Sequence, residues 1–267
     1  MAPLSSPQDT AADLARGGWA WLAGWWRTIH LAALLSVLAL SPTSYRPDSR
    51  RAMARHLYLG TAQSLPWFTL LSLLISIVVI RIVLVTALSY GLTQYALEMV
   101  VRVLVLELIP LAAALFAALR CTMPLAAQIA TLRSSGGWDL LARSGTDPLR
   151  HEVLPRVVAG SFCALMLAAV SCVVTLVVAY LSVYGLTSAG FAAYTHTVGQ
   201  VFSPAVSLIF GLKILLLGLT VALMPIASVL DAVPRRRPNT SAELQALIRM
   251  FMVIVIIEAA SLVGNYA

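Results

Sequence analysis

Five long apolar runs, separated by polar connections, dominate the pattern of this chain. Each run approaches or exceeds the roughly 20 residues that a helix needs to cross the hydrocarbon core of a bilayer. No soluble fold requires so many uncharged runs of this length. The pattern therefore predicts an all-α integral membrane protein with about five transmembrane helices, which we place at residues 65–88, 100–119, 157–184, 205–230 and 248–264.

The first 45 residues have a different character. Residues 1–12 are small and polar, and we expect them to be disordered. Residues 13–45 combine tryptophans with arginines, a mixture typical of the headgroup level of a membrane. The apolar run 29–40 within them is too short to span, so an interfacial amphipathic helix is favoured over a sixth span. Residues 46–267 then form the membrane domain.

The distribution of arginine orients the spans. Arginines crowd into Arg46–Arg55, Arg120–Arg156 and Arg235–Arg249, whereas the connections 89–99 and 184–203 contain no Lys or Arg. Short loops rich in Lys and Arg stay in the cytoplasm. With five spans the three basic segments fall on one side, which puts the N-terminus in the cytoplasm and the C-terminus outside.

Composition agrees with a membrane chain, since 60% of residues are hydrophobic and 11% are charged. A soluble domain carries about 25% charged residues. The net charge of +7 suggests nucleic acid only if it lies on a soluble face. Here the arginines lie between spans and aromatic residues are not interleaved with them, so we predict no nucleic-acid partner.

Four charged residues fall inside apolar runs, where each costs about 2.5–3.5 kcal/mol at the centre of a span. Glu258 lies near the end of its run and could reach water, Lys213 could snorkel, and Arg81 could mark the outer end of the first helix. Glu107 lies three residues before Pro110, which frees a backbone carbonyl and kinks a helix. A carboxylate there faces protein or a cavity, in a structural or a functional role.

No motif for catalysis or for a cofactor occurs in the sequence. The phosphate-binding pattern G-x-x-x-x-G-K-[ST] is absent, so the chain is not expected to bind ATP. Cys121, Cys163 and Cys172 lack metal-ligand spacing and are an odd number. We expect them to be small buried side chains without a disulfide, and we expect no metal site.

An ordered series of short motifs carries a resemblance to a known family. It consists of Glu107-Leu-Ile-Pro110-Leu-Ala-Ala-Ala-Leu, Arg120, Ala127-Gln128-Ile129, Asp147-Pro148-Leu149-Arg150 and Leu154-Pro155-Arg156. In this order and spacing the series resembles the MlaE/YrbE family, the permease subunits of MCE-type ABC transporters. The resemblance extends from about Arg50 to the C-terminus.

The resemblance implies a five-span permease that works as a homodimer in the cell inner membrane. It implies movement of lipid, above all phospholipid, between the inner and outer membranes. The implied partners are a cytoplasmic ABC ATPase, which holds ATP and Mg²⁺, a periplasmic MCE-domain lipid-binding protein and a small STAS-domain regulator. Two alternatives stay open, namely a diverged non-transporting scaffold or regulatory subunit, and an ion-coupled secondary transporter.

The resemblance also assigns residues. Those expected at the lipid cavity are Arg81, Glu107 and Lys213, and the segment Arg120–Arg156 is expected to contain a cytoplasmic coupling helix that docks on the ATPase. Its candidate contacts are Arg120, Gln128, Arg133, Asp147, Arg150 and Arg156. The chain departs from the family pattern at Gln128, where the family has glutamate, and at Gly136-Gly137, where it has Glu-Gln. Because glycine costs a helix about 1 kcal/mol relative to alanine, we expect the helix to break there.

Overall fold

The computed structural model describes residues 24–26, 29–31, 33–35, 37, 47–145, 147–231 and 240–266. Helices joined by short turns make up these ranges, and no strand occurs within them. Five helices are long and apolar enough to cross a membrane, and we call them the first to fifth spans: Gly60–Ser89, Tyr95–Ser134, Leu149–Tyr184, Pro204–Leu230 and Ala246–Asn265. The prediction of an all-α protein with five spans is confirmed.

Several spans belong to longer helices. The first lies in a helix over Pro47–Ser89, the fourth in Pro204–Asp231 and the fifth in Thr240–Tyr266. The third consists of a π-helical turn, Leu149–Val153, followed by an α-helix over Leu154–Tyr184. Because the first helix continues to Ser89, Arg81 does not mark its end.

The second span alternates between two helical geometries. Its α-helical parts are Thr93–Met99, Ile109–Ala117 and Met123–Ser134, and its π-helical parts are Val100–Leu108 and Ala118–Thr122. The 40 residues of this span correspond to roughly 60 Å of helix, about twice the thickness of the hydrocarbon core. The helix continues through Arg120 to Ser134, and the predicted end of the membrane-embedded part at residue 119 stays a prediction.

The polar segment after the second span breaks at its glycines, as predicted. Gly136 has φ +77°, a left-handed conformation that glycine adopts without steric cost. A short helix, Gly137–Arg143, follows the turn. The first half of the expected coupling segment is thus a direct extension of the second span, and the second half is a separate short helix.

The third span lies at the centre of the bundle and packs on the first, second and fourth spans, while the fifth packs on the fourth. One core cluster takes a buried residue from every span: Phe68, Ala114, Leu167, Leu217 and Ile254. The first and fifth spans keep most of their apolar side chains exposed. In a bilayer these exposed faces meet lipid or another membrane-embedded surface.

Small side chains allow the central helices to approach closely. A Cβ atom added to Gly160 on the third span would lie 2.8 Å from Thr122 Cγ2 and 3.3 Å from Ala222 Cβ. These neighbours belong to the second and fourth spans. Small residues are common where membrane helices pack, because they let the backbones come together.

The three cysteines are buried, as expected. The sulfur atoms of Cys121 and Cys163 meet between the second and third spans, next to the carbonyl oxygen of Gly60. The sequence did not predict this pairing, since 42 residues separate the two cysteines. Cys172 stays apart from them.

The predicted interfacial helix over residues 13–45 falls largely outside the described residues, as do residues 1–12. The described part of it, residues 24–26, 29–31, 33–35 and 37, is helical. Leu35 in this part is buried in a cluster that also contains Ile129 and Ile226. This stretch therefore contacts the second and fourth spans.

We predict that Gly160→Ala destabilises the bundle by about 1–3 kcal/mol, because the added methyl group overpacks a contact that has no free space. The control is Gly211→Ala, on the exposed face of the fourth span, where an added Cβ meets no atom within 4 Å. The measurement is thermal unfolding of both purified variants in the same detergent. An equal effect of the two substitutions would contradict the packing described for Gly160.

Candidate functional site

A buried lysine lies in the membrane-spanning part of the bundle. Lys213 is the only lysine of the chain and is 2% exposed. Its ammonium group has three N–H donors. Lys213 Nζ donates to a carboxylate oxygen of Glu107, to Glu258 Oε1 at 2.8 Å and to the Leu106 carbonyl oxygen at 3.0 Å. Lys213 therefore does not snorkel, and protein acceptors take all three of its donors.

The Leu106 carbonyl oxygen cannot accept the usual α-helical hydrogen bond. In a regular α-helix the N–H of residue 110 would donate to the carbonyl of residue 106. Residue 110 is proline, which has no N–H, so Lys213 Nζ takes this acceptor. The preceding π-helical part, Val100–Leu108, lies where such segments are often found, next to a functional group.

The fifth span supplies two further members of the site. Glu258 and Asn265 are seven residues apart and therefore lie on one face of the helix. Asn265 Nδ2 donates to Glu107 Oε1 at 3.4 Å, while Glu258 bonds to Lys213. We call Glu107, Lys213, Glu258 and Asn265 the charge cluster. It joins the second, fourth and fifth spans.

The charge cluster combines one ammonium with two carboxylates. The side chain of Lys213 is 1% exposed, and those of Glu107 and Glu258 are 13% and 15% exposed. Removing one partner of a buried ion pair costs about 3–5 kcal/mol, because the remaining charge is left without compensation. The arrangement favours helix association, and contact of Glu107 or Lys213 with lipid stays a prediction.

Arg81 is not brought to the charge cluster. Its side chain lies on the exposed face of the first span, and among the described residues it has no ion-pair partner. The sequence placed it at a cavity together with Glu107 and Lys213. A role for Arg81 in lipid contact stays a prediction, but at a different surface of the bundle.

The sequence singled out Glu258 as a charge within a span and as a possible proton carrier, but it did not predict that Glu258 and Asn265 join Glu107 and Lys213 in one site. Glu258 was expected to reach water at the end of its span, and Asn265 drew no attention. Two signals could have pointed to them. A chain with a single lysine inside a span needs partners for it, and a glutamate seven residues before an asparagine puts both polar groups on one helix face.

The candidate coupling residues divide into two groups. Arg120 and Gln128 are exposed, and so are Asp147 and Arg150, which form an ion pair at 3.7 Å. Asp147 also accepts the N–H of Leu149 at 3.0 Å, where the third span begins. Arg156 bonds to a carboxylate oxygen of Glu152. The four exposed residues are available to a partner, whereas Arg156 and Arg133 form hydrogen bonds within the chain.

Arg133 connects the extended second span to the end of the fourth. Its Nη1 donates to the carbonyl oxygens of Val229 at 2.6 Å and Leu230 at 2.9 Å. The last carbonyls of a helix have no partner within the helix, and a cation there also interacts favourably with the helix dipole. The guanidinium lies 5.9 Å from the ring centroid of Trp138. These bonds join the end of the second span to the fourth span, which carries Lys213.

The opposite end of the bundle carries a short helix, Phe191–Val201. The hydroxyl of Tyr194 donates to the Leu176 carbonyl oxygen at 2.8 Å, and its ring packs edge-on against Tyr180. Burial raises the pKa of Tyr194 to about 12, so the phenol remains protonated and able to donate. This contact holds the uncharged connection against the third span.

A comparison with protein families finds one whose description is Permease MlaE, and its family model matches residues 53–263. The matched range contains the first four spans and most of the fifth, the polar segment between the second and third spans, and three of the four residues of the charge cluster. None of the curated proteins matches the chain.

We predict that Lys213→Met destabilises the protein by about 3–5 kcal/mol, because it leaves two buried carboxylates without a cation. Glu107→Gln should cost less than half as much, since one ammonium and one carboxylate remain. Chemical or thermal unfolding of the purified variants in one detergent gives the comparison. If Glu107→Gln is as damaging as Lys213→Met, charge balance is not what holds the cluster together.

Proposed function

This chain belongs to the MlaE permease family, and we propose that it is the membrane-spanning permease subunit of an ATP-driven lipid transporter. The observation that carries the proposal is the mechanical connection between the polar segment and the bundle. The helix that emerges from the second span continues unbroken to Ser134. Arg133 near its end is bonded to the last carbonyls of the fourth span.

ATP and Mg²⁺ are bound by a separate ABC ATPase in this proposal. The docking surface for it is the exposed part of the segment between the second and third spans. Arg120, Gln128, Asp147 and Arg150 lie on that part, and Leu140 in the short helix after the glycine turn is 67% exposed.

The chain lies in the inner membrane, with the N-terminus in the cytoplasm and the C-terminus in the periplasm. The arginine-rich connections support this orientation. It acts as a homodimer and passes phospholipid to or from a periplasmic MCE-domain protein, with a small STAS-domain protein as regulator. The apolar faces left exposed on the first and fifth spans are the surfaces for lipid and for the second copy. Arg81 on the first span offers a cation for a lipid phosphate.

Two observations favour other functions. The turn at Gly136 shortens the coupling helix and favours a non-transporting scaffold or regulatory subunit. The buried carboxylates of the charge cluster favour a secondary transporter driven by ions. The scaffold moves no lipid, whereas the secondary transporter moves it without ATP.

The decisive experiment is reconstitution of the chain with its ATPase in liposomes that contain fluorescent phospholipid. We predict that lipid moves when ATP is hydrolysed and stops with a non-hydrolysable analogue. Leu140→Arg should weaken ATPase binding roughly tenfold or more, because it puts a charge into an apolar contact. Leu186→Arg is the matched control, since Leu186 is 94% exposed in the connection at the opposite end of the bundle.

Three results would count against the permease. A monomer that binds neither ATPase nor lipid would overturn the proposal outright. ATPase binding without any lipid movement would favour the scaffold. Lipid movement that follows a pH gradient in the absence of nucleotide would favour the secondary transporter.

Arg133→Gln should uncouple hydrolysis from transport. We expect ATP hydrolysis by the complex to continue, while lipid moved per ATP falls about fivefold or more, within the usual range of a coupling free energy. Arg133→Lys should restore only part of the coupling, because an ammonium lacks the planar fork of a guanidinium. Arg143→Gln, at an exposed position in the same segment, is the control. Equal transport per ATP in the Arg133 and Arg143 variants would contradict the connection.

A further inference from the structure

Three buried oxygens beside the charge cluster lack a hydrogen-bond partner. Within the described residues, Glu258 Oε2, Ser261 Oγ and Asn265 Oδ1 are buried and make no hydrogen bond. Ser261 as a whole is 6% exposed. The three residues occupy one face of the fifth span, at spacings of three and seven residues. A buried acceptor without a donor costs about 1–3 kcal/mol. The contacts of the described residues therefore leave this face of the fifth span with unpaired acceptors.

The same region has an unbalanced charge. With all groups ionised, two carboxylates face one ammonium, and the charge cluster carries one negative charge in excess. The titratable groups that face Glu258 among the described residues come from two other spans. They are Glu107 on the second and Lys213 on the fourth, and Lys213 in turn has Cys172 of the third near it. None of them removes the excess.

We propose that the charge cluster is a binding site for one proton, which is held on Glu258 Oε2. A hydronium ion gives its proton to Oε2 and leaves as water, so a carboxylate becomes a carboxylic acid. One proton cancels the excess charge. It also removes the ionised character of the one Glu258 oxygen that no donor contacts.

The two glutamates differ in how well their ionised forms are bonded. Both oxygens of Glu107 accept a hydrogen bond, one from Lys213 and the other from Asn265. Glu258 accepts only at Oε1, from Lys213 at 2.8 Å. Hydrogen bonds to a carboxylate stabilise its charged form. The proton therefore belongs to Glu258, which has one oxygen without a hydrogen-bond donor.

The ammonium of Lys213 selects a proton over an alkali cation. A sodium ion among the same oxygens would lie close to a fixed positive charge, and its repulsion is weakly screened in a site of low dielectric constant. A proton instead enters a covalent O–H bond at the oxygen that Lys213 does not contact. The Glu258 side chain is 15% exposed, and Asn265 ends the fifth span, so the proton exchanges with water at that end.

The proposal is tested on the purified full-length chain without any ATPase or transport assay, so it stands or falls independently of the proposed function. Infrared difference spectroscopy across a pH change near neutrality should reveal a protonated carboxyl group. The band should be absent in Glu258→Gln, because glutamine mimics the neutral carboxyl and cannot titrate. Its persistence in that variant, or its absence from the wild type, would overturn the proposal.

Thermal unfolding gives a second readout. The folded protein holds a proton that the unfolded chain releases, so wild-type stability should fall as the pH rises from about 6 to about 9. We expect the melting temperature to drop by roughly 3 °C or more over this range, and Glu258→Gln to remove that part of the drop. Glu98→Gln is the control, since Glu98 pairs with Arg102 at the surface and should leave the pH dependence unchanged.

The remaining outcomes also decide the matter. A Glu258→Gln protein that fails to fold would count against a neutral group at this position. Binding of an alkali cation is tested by measuring the melting temperature in buffer with Na⁺ in place of choline, at constant ionic strength and pH. A rise in melting temperature with Na⁺ in the wild type, lost in Glu258→Gln, would overturn the proton in favour of sodium.

Discussion

An ammonium group inside a membrane-spanning bundle is the constraint on which this structure depends. Lys213 cannot reach water, so the bundle must provide an acceptor for each of its three N–H groups. The second span provides the Glu107 carboxylate and the Leu106 carbonyl oxygen, to which Pro110 cannot donate. The fifth span provides Glu258. The packing of three helices is therefore tied to the bonding of one side chain. Apolar contacts alone would let these helices slide or rotate, because lipid tails are as apolar as the helix faces.

The fourth span transmits this constraint over a distance. Arg133 bonds to its carbonyls at one end, and Lys213 lies sixteen residues before Val229, which is roughly 24 Å along the helix. The polar segment and the charge cluster are thus attached to one continuous helix, which has Pro225 within it. The fifth span shares the cluster and packs on the fourth. A movement that begins at the polar segment reaches the cluster without crossing a flexible loop.

Much of the fold could be predicted from the sequence, because the length of an apolar run is a direct requirement of the bilayer. The number of spans and the break at Gly136 rest on such local properties. The length of the second helix beyond residue 119 could not be predicted in this way, because polar residues such as Arg120 can continue a helix outside the hydrocarbon. The cluster was only half predictable. Glu107 and Pro110 are neighbours in sequence, whereas the partnership of Lys213 with Glu258 arises from tertiary packing across 45 residues.

The length of the second span has a mechanical consequence. A rod of roughly 60 Å acts as a lever, and a tilt of about 5° at one end moves the other end by roughly 5 Å. Its two π-helical segments, Val100–Leu108 and Ala118–Thr122, divide this lever at points where the backbone hydrogen bonds differ from those of the rigid parts. The segment Ala118–Thr122 lies beside Gly160, and the segment Val100–Leu108 lies beside Lys213. The tilt of the second span therefore sets where Glu107 lies relative to the buried ammonium.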